Sequence, residues 1–308
     1  MTQIVVVNLN PCIDWQYNVP EIKIGETNRV CHTYAGAASK ATNVSIVLKN
    51  LGLSPYVIGF NYMDGRDKVR ARFDEYNIPY TFEMVDGAVR INIKVLEEVT
   101  GQMTELNQPG AVISSENLEN FMTEFMAISH NCDADSILVL TGSLPQGVPS
   151  NFYMQLCDIW QGKVFVDADG EVLYHAINAK NAPYFIKPNI HELGRAFGVA
   201  LENKQDVISL CQSKVCRGDN LVCVSMGKDG AVLLSQGEVL SCDAIDVTVR
   251  GVQGAGDSML AGMIYGLVNK FGLSEVLRSG IIAAAGTVEC DGTGLCTLDD
   301  YLRLGGMV

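Results

Sequence analysis

The sequence predicts an α/β protein built around a mostly parallel sheet, and three observations support this class. Short β-branched runs alternate with longer helical segments along the 308 residues, which is the pattern of βαβ units. A hydrophobic content of 48% is enough for a large buried core. Turns that contain glycine or proline follow several of the apolar runs, at the strand ends where open α/β sheets bind ligands.

The elements can be assigned in chain order from these patterns. The predicted core strands are Ile4–Val7, Tyr56–Gly59, Ser136–Leu140, Val164–Val166, Tyr184–Ile186 and Leu221–Val224, with a hairpin strand near Ala231–Leu234. The predicted helices are Thr42–Leu51, Asp67–Tyr76, Ser115–Ile128, Asn151–Gln161, His191–Phe197, Lys204–Val215, Ser258–Phe271 and Ser274–Val288. The small residues of Ala283–Gly286 suit close helix packing.

A second, antiparallel pattern interrupts the βαβ units. Half-buried strands are predicted at Asp14–Val19, around Arg29–Thr33, and at Arg90–Glu97 and Gln102–Asn107. We expect the segments of about 14–34 and 88–108 to form a small β-sheet lid over the main sheet, within a single domain that spans residues 1–308. Because such a lid has one apolar face to cover, we expect a homodimer formed through it.

Charge and cysteine content narrow the class of partner and the compartment. A net charge of −13 argues against a nucleic-acid partner, because phosphate backbones bind basic surfaces. No apolar run is long enough to cross a bilayer, and the first residues lack the features of a signal peptide. The ten cysteines are scattered and form no C-x-x-C pair, so we expect a reduced, cytoplasmic protein. The four histidines share no metal-ligand spacing.

The tetrapeptide Gly254-Ala255-Gly256-Asp257 precedes a predicted helix that begins at Ser258. Its glycines let successive backbone N–H groups turn toward one point, and the helix dipole adds positive potential there. Asp257 places a carboxylate beside the point toward which these N–H groups turn. An anion hole beside a general base is what phosphoryl transfer to an alcohol requires. An ordinary glycine-rich loop with an aspartate in the first helical turn would have the same sequence, so other positions must decide.

Further segments fit the same chemistry, and each has a structural alternative. They are the turn Asn10–Asp14, the turn Thr141–Pro149, the segment Ile186–Leu193, the hairpin Val224–Gly230, and the basic set Arg29, Lys40, Arg90 and Lys94. Asn189 and Glu192 have the spacing of a capping box, which competes with Glu192 as a magnesium ligand through water. A hairpin explains Val224–Gly230 fully, although its exposed N–H groups could meet nucleotide phosphates.

Taken together, these segments resemble the ribokinase/PfkB sugar kinases across nearly the whole chain. Within that family they are most similar to the branch of 1-phosphofructokinases and tagatose-6-phosphate kinases. The matching segments, in the family's order and spacing, are Leu9–Asp14, Gly25–Val30, Arg90–Lys94, Thr104–Gly110, Gly142–Pro145, Lys187–Glu192, Val224–Gly227 and Gly254–Ser258.

The resemblance implies a ribokinase-like three-layer α/β/α sandwich with a β lid, which uses ATP and Mg²⁺ to phosphorylate a sugar phosphate of the fructose 1-phosphate or fructose 6-phosphate/tagatose 6-phosphate type. It implies Asp257 as the general base and the amides of Gly254, Ala255 and Gly256 as the anion hole. For the sugar phosphate it implies Asp14, Arg29, Lys40, Asn43, Arg90 and Ser143. For the nucleotide it implies Lys187, Asn189, Ser225, Gly227 and Gly230, with Glu192 at the magnesium position. Some members also use a monovalent cation such as K⁺, here near the loop after Val249.

The chain departs from the family at the acceptor end. The family's Gly-Gly-Lys-Gly-x-Asn segment has Ala38, Ser39 and Ala41 in place of its three glycines. A Cβ at each position would disturb the pocket if the backbone there needs positive φ or approaches the sugar. Val252 also stands where the family usually has Thr or Ser. A kinase with an altered acceptor pocket is therefore our hypothesis; the alternatives are a free-sugar or nucleoside kinase of the same fold, or a kinase-like binding or regulatory protein with little turnover.

Overall fold

The structure, a computed structural model, describes residues 2–306 and contains two β-sheets with helices packed around the larger one. The strands are β1 Ile4–Asn8, β2 Cys12–Val19, β3 His32–Ala38, β4 Pro55–Asp64, β5 Tyr80–Ala88, β6 Arg90–Glu97, β7 Met103–Asn107, β8 Ile137–Thr141, β9 Lys163–Asp167, β10 Phe185–Ile186, β11 Leu221–Ser225, β12 Ala231–Ser235 and β13 Glu238–Cys242. The helices are α1 Lys40–Asn50, α2 Arg66–Glu75, α3 Ser115–His130, α4 Phe152–Ile159, α5 Gly170–Ile177, α6 Ile190–Phe197, α7 Lys204–Leu210, α8 Ala255–Val268, α9 Leu273–Val288 and α10 Leu298–Gly305.

The larger sheet has nine strands in the order β13-β12-β11-β10-β9-β8-β1-β4-β5. In this sheet the pairs from β11 to β5 are parallel, and the two pairs made by β12 are antiparallel. Its central strands are buried on both faces, which explains why they appear in the sequence as continuous apolar runs. The predicted α/β class with a mostly parallel sheet is confirmed.

The smaller sheet has four strands in the order β3-β2-β6-β7. Strand β2 pairs in parallel with β6, and the register sets Asp14 opposite Asn92 and Gln16 opposite Lys94. Because side chains alternate between the faces of a strand, Asn92 and Lys94 lie on one face of β6. This register brings both side chains to the carboxylate of Asp14. The observed strands extend the predicted lid segments slightly, to Ala38 on one side.

Several boundaries correct the sequence-based assignment. Strand β3 begins at His32, so most of the strand predicted around Arg29–Thr33 is a loop. Helix α8 begins at Ala255 and not at Ser258, because the first residues of a helix need no partner for their N–H groups and so tolerate a glycine-rich sequence. Helix α7 ends at Leu210 and continues as the π-helical turn Cys211–Val215, where a single α-helix was predicted. Strands β5 and β13 and helices α5 and α10 lie outside the predicted segments.

Helices α8 and α9 pack closely through small residues. A Cβ placed on Gly262 would lie 2.5 Å from the carbonyl oxygen of Ser279 and 2.7 Å from the Cβ of Ala283. This contact agrees with the close packing expected from the run Ala283–Gly286. No helix within residues 2–306 combines the length and the apolar character needed to cross a membrane.

Candidate active site

A cavity of 720 Å³ lies at the carboxyl ends of the parallel strands β1, β8, β9 and β10. Open α/β sheets bind their ligands at this edge. The small sheet contributes the opposite wall with residues of β2, β6 and β7. The cavity is lined by twelve of the predicted site residues: Asp14, Lys40, Asn43, Arg90, Ser143, Lys187, Asn189, Glu192, Ser225, Gly254, Gly256 and Asp257.

The α8 N-terminus separates this cavity from a second one of 520 Å³. Gly254 precedes the helix with a left-handed φ of 76°, a conformation that glycine adopts without strain. Gly256 lines both cavities, while Ala255 lines the second. The positive end of the α8 dipole therefore lies where the two cavities meet, which is a favourable position for an anion shared between them.

Asp257 lies in the first turn of α8 and is 6% exposed. Its Oδ2 accepts a hydrogen bond of 2.8 Å from Nδ2 of Asn43 on α1. Burial raises the pKa of Asp257 to about 6, and the positive charge of Lys40 acts in the opposite direction. A carboxylate with this pKa is ionised at neutral pH and is a stronger base than an exposed aspartate.

Lys40, the first residue of α1, lies between two carboxylates. Its Nζ is 3.0 Å from Oδ1 of Asp167 and 2.9 Å from Oε1 of Glu192. Asp167 is buried and also lies 3.0 Å from Nζ of Lys187. Burial alone would raise the pKa of Asp167, but the charges of Lys187 and Lys40 outweigh it and hold that pKa below its usual range. Lys40 thus neutralises carboxylates in this structure, whereas the resemblance assigns it to a substrate phosphate.

Asp167 is a site residue that the sequence did not single out. It is the last residue of β9, so the end of a buried strand followed by an acidic residue was the available signal. That signal is weak, because aspartates are common in the turns that follow strands.

Glu192 forms the capping box that was the structural alternative to a magnesium ligand. Its Oε2 accepts the backbone N–H of Asn189 at 2.8 Å, and Oδ1 of Asn189 accepts the N–H of Glu192 at 2.8 Å, which completes the capping box of α6. Its Oε1 faces Lys40. Within residues 2–306, no group of three or more His, Cys, Asp or Glu side chains could hold a metal ion. The carboxylates of Asp167 and Glu192 are oxygen donors of the type that Mg²⁺ prefers, and a bound ion would take its remaining ligands from water and phosphate oxygens.

Asp14 on β2 is 4% exposed and is held by the small sheet. Its Oδ2 accepts 2.7 Å from Nζ of Lys94, and its Oδ1 accepts 3.1 Å from Nδ2 of Asn92. The thiol of Cys12 donates to Oδ1 at 3.3 Å, and the amide of Gln253 donates to Oδ2 from the loop before α8. The carboxylate of Asp14 therefore connects the small sheet to the segment that carries Asp257.

Arg90 and Ser143 both line the cavity, and each forms a hydrogen bond with Asn10. The guanidinium of Arg90 donates to the carbonyl oxygen of Asn10 at 3.2 Å, and Nδ2 of Asn10 donates to Oγ of Ser143 at 3.1 Å. Arg29, in contrast, is exposed in the loop before β3 and is not among the residues that line the cavity. The structure therefore brings Arg90 and Ser143 together but leaves Arg29 outside.

The second cavity contains Gly227, Gly230 and, at its border with the first, Ser225. Gly230 is required by backbone packing, since a Cβ there would lie 2.1 Å from the carbonyl oxygen of Cys242. The remaining wall is mainly apolar: Ala244, Ile245, Val247, Val249, Val252, Met259, Ile281, Ala284, Ala285 and Val288. Sequence reasoning missed most of these residues, because apolar side chains in a cavity wall look the same in a sequence as those of the core.

The fold and the paired cavities define an α/β carbohydrate kinase. The model of the pfkB family of carbohydrate kinases matches residues 1–300, and the chain belongs to that family. It is therefore a phosphotransferase with an alcohol group as acceptor, and its fold is ribokinase-like. The 1-phosphofructokinase of Bacillus subtilis (strain 168) is 31% identical over 294 residues, which cover 94% of each chain.

Two solved structures extend the comparison. A putative phosphofructokinase from Staphylococcus aureus is 30% identical with a TM-score of 0.78, over 98% of this chain and 96% of the other. Phosphofructokinase-2 from Escherichia coli, in complex with substrates and products, is 25% identical with a TM-score of 0.90, over 99% of both chains. That enzyme has also been solved with fructose 6-phosphate, with potassium and as a tetrameric inhibited form.

Proposed function

We propose that this kinase transfers the γ-phosphoryl group of ATP to a hydroxyl of a sugar phosphate of the fructose 1-phosphate or fructose 6-phosphate/tagatose 6-phosphate type. One observation carries the proposal: the buried Asp257 lies at a helix N-terminus between a polar cavity and an apolar one. The polar cavity suits an acceptor with many hydroxyls, and the apolar cavity suits a nucleotide base.

On this proposal the nucleotide binds with its base in the second cavity and its phosphates toward α8. The Gly227 and Gly230 turn and Ser225 support the first part of this arrangement, because they line that cavity. Lys187 and Asn189 are at the border toward Asp257 and would face the phosphates. Glu192 with Asp167 would hold Mg²⁺ through water, and the ion would supply positive charge against the β- and γ-phosphate oxygens.

The acceptor would bind between the small sheet and α8. Asp14 offers a carboxylate to a sugar hydroxyl, while Arg90 and Ser143 offer donors to the phosphate of the acceptor. Asn43 has a role beyond the sugar contact implied by the resemblance. It holds Oδ2 of Asp257, which leaves Oδ1 for the acceptor hydroxyl. For Lys40, a role in neutralising Asp167 and Glu192 replaces the substrate contact that the resemblance implies.

In the transfer step Asp257 accepts the proton of the acceptor hydroxyl. The hydroxyl oxygen bonds to the γ-phosphorus as the bond from that phosphorus to the β–γ bridging oxygen breaks, and ADP leaves. The backbone N–H groups of the α8 N-terminus, at Gly254, Ala255 and Gly256, would stabilise the charge on the transferring group. A base of pKa about 6 is ionised at neutral pH and suits this step.

The proposed homodimer through the small sheet is supported by exposed apolar side chains in the sheet and in the loop before β3. Ile24 is 97% exposed, and Val30, Tyr34 and Leu106 are also exposed large apolar residues. Arg29 lies in the same exposed loop, so a second subunit or a movement of that loop would be needed to bring it to an acceptor. Ten free cysteines support a reducing, cytoplasmic location. A monovalent cation near the loop after Val249 remains part of the proposal.

A coupled ADP-release assay tests the function. The panel is fructose 1-phosphate, fructose 6-phosphate, tagatose 6-phosphate, the matching free sugars and nucleosides. We expect turnover with at least one sugar phosphate, and Arg90→Ala should raise its KM at least about tenfold while changing KM for a free sugar much less. Lack of turnover with every acceptor, despite ATP binding, would contradict the proposal. If Arg90→Ala raised KM equally for free and phosphorylated sugars, the result would favour a free-sugar kinase.

A further inference from the structure

The hydrogen bonds of Asp14 leave no acceptor position for a sugar hydroxyl. An ionised carboxylate offers about four acceptor positions on its two oxygens. Asn92 and Cys12 donate to Oδ1, while Lys94 and Gln253 donate to Oδ2. An acceptor hydroxyl that binds to Asp14 must therefore replace one of these four donors.

Three of the donors belong to the small sheet and are costly to move. Asn92 and Lys94 are on β6, which is held beside β2 by the strand register, and both side chains are buried. Moving Lys94 would leave a buried charge without its partner, which is strongly unfavourable. Burial raises the pKa of the Cys12 thiol, so it stays protonated, and it also donates to the carbonyl oxygen of Ala38 at 3.2 Å.

Gln253 differs from these donors in its exposure and in the part of the fold to which it belongs, and from Lys94 also in charge. It is neutral, partly exposed, and belongs to the loop before α8 and not to the small sheet. Its Oε1 is buried and has no hydrogen-bond donor. An unpaired buried carbonyl is unfavourable, so release from Asp14 lets the whole amide find better partners.

We propose that Gln253 is a specificity-determining residue whose amide takes the place on Oδ2 of Asp14 that an acceptor hydroxyl needs, so that acceptor binding displaces it. This inference rests on the proposed sugar-phosphate kinase function. Its consequence is selective: an acceptor that donates a hydroxyl to Asp14 must exchange with Gln253, whereas an analogue that lacks this hydroxyl leaves the Gln253 contact in place. Gln253 thus weakens the preference of the site for the hydroxyl that Asp14 recognises.

The substitution Gln253→Met tests this exchange, because methionine keeps the length of the side chain and removes its donor. The probes are fructose 1-phosphate, fructose 6-phosphate and the monodeoxy analogues of each, titrated calorimetrically. We expect the variant to bind the parent sugar phosphate about threefold to tenfold more tightly, as expected for removal of one competing hydrogen bond. One deoxy analogue should bind both proteins equally, and kcat should change less than twofold, because Gln253 leaves Asp14 before the chemical step.

Gln236→Met is the matched control, since Gln236 also donates its amide to an aspartate, Asp219, but on the surface away from both cavities. Gln236→Met should leave the affinity for every sugar phosphate and analogue unchanged. Gln253→Asn, whose amide is one methylene too short for the same contact, should act like Gln253→Met and serves if that variant folds poorly. If the wild type binds no sugar phosphate, the proposed function fails and this inference fails with it. If the wild type binds and turns over the acceptor, but both Gln253 variants bind the parent equally or more weakly, the inference alone is wrong.

Discussion

The two cavities that meet at the α8 N-terminus are built by different physical means. The larger cavity is surrounded by buried and partly buried charges: Asp14 with Lys94, and Lys40 with Asp167, Lys187 and Glu192. The smaller cavity is bordered mainly by valine, isoleucine and alanine side chains. Contacts in the first are directional and have fixed partners, whereas those in the second depend on shape and apolar area.

This difference determines how each cavity should respond to substitution. Removing one partner of a buried charge network leaves another charge unpaired, so single changes have large effects that reach across the network. Removing one apolar contact costs only the area that it buried. We therefore expect the acceptor side to be sensitive to changes at single residues and to pH, and the nucleotide side to change gradually.

The substitution with the largest expected effect is Asp257→Asn. It removes the proposed base while keeping the size of the side chain, and it should lower kcat by about 10²–10⁴-fold. The affinity for ATP, measured by fluorescence or calorimetric titration, should change less than about threefold, since the nucleotide cavity is intact. A kcat within tenfold of the wild type would show that Asp257 is not the base and would favour a different role for the α8 N-terminus.

Asp257 could be predicted from the sequence because its glycine-rich segment occurs together with the other family motifs, in their order and spacing. Other site residues could not, because their partners are distant in the sequence. Lys40 contacts Asp167 and Glu192, which are 127 and 152 positions away. No local pattern encodes such pairs, and the contact of Lys40 with a substrate phosphate was implied by the resemblance alone. The segment around Arg29 was predicted as a strand, but Arg29 lies in an exposed loop that ends where β3 begins.

The order of the main-sheet strands along the chain was predictable for a different reason. Strands buried on both faces need continuous apolar runs, so β1, β8 and β11 stand out in the sequence. Strand β13 is mostly exposed at the sheet edge and lacks this pattern. The apolar residues of the second cavity wall could not be predicted as site residues, because the same residue types fill the core. Gln253 was not predicted as a site residue, since nothing in the sequence indicates a contact with Asp14.

The next largest effect is expected for Lys40→Met. In the wild type, kcat/KM for the acceptor should fall about tenfold per pH unit below about pH 6, because protonation of Asp257 removes the base. The charge of Lys40 lowers the pKa of Asp257, so its loss should move the midpoint of this fall to higher pH. At pH 7 we expect kcat/KM to decrease about tenfold to a hundredfold, measured across a pH series.

Lys49→Met is the control for this series. Lys49 lies on the same helix and forms no ion pair within the described part of the chain. It should leave the midpoint unchanged. A midpoint that stays near that of the wild type in Lys40→Met would mean that Lys40 does not act on Asp257, and the electrostatic connection across the acceptor cavity would be wrong.

On the nucleotide side, Val249→Ser should have a smaller effect. Val249 is 65% exposed and lines the second cavity, so the change removes apolar contact with a bound base without opening the core. We expect KM for ATP to rise about threefold to tenfold, while kcat and the acceptor KM stay within twofold. Val239→Ser, at an exposed position outside the cavity, should change neither. A pH-dependent or kcat effect of Val249→Ser would contradict the contrast between the two cavities.

The smallest effects are expected at Ser39, one of the positions where related kinases have glycine. Ser39 has φ of 174°, which is extended backbone open to any residue, so a glycine there would release no strain. Its Oγ caps α1 by accepting the N–H of Thr42 at 3.0 Å and donates to Oδ1 of Asn8 at 3.0 Å. Ser39→Ala should therefore lower the free energy of unfolding by about 1 kcal/mol and Ser39→Gly by less, as is typical of N-cap positions, in urea titrations. For both variants kcat/KM should stay within about threefold. If Ser39→Gly instead raised kcat/KM for fructose 1-phosphate tenfold or more, the Cβ of Ser39 would be an obstacle to that acceptor, and the polar cavity would owe its selectivity to shape as well as to charge.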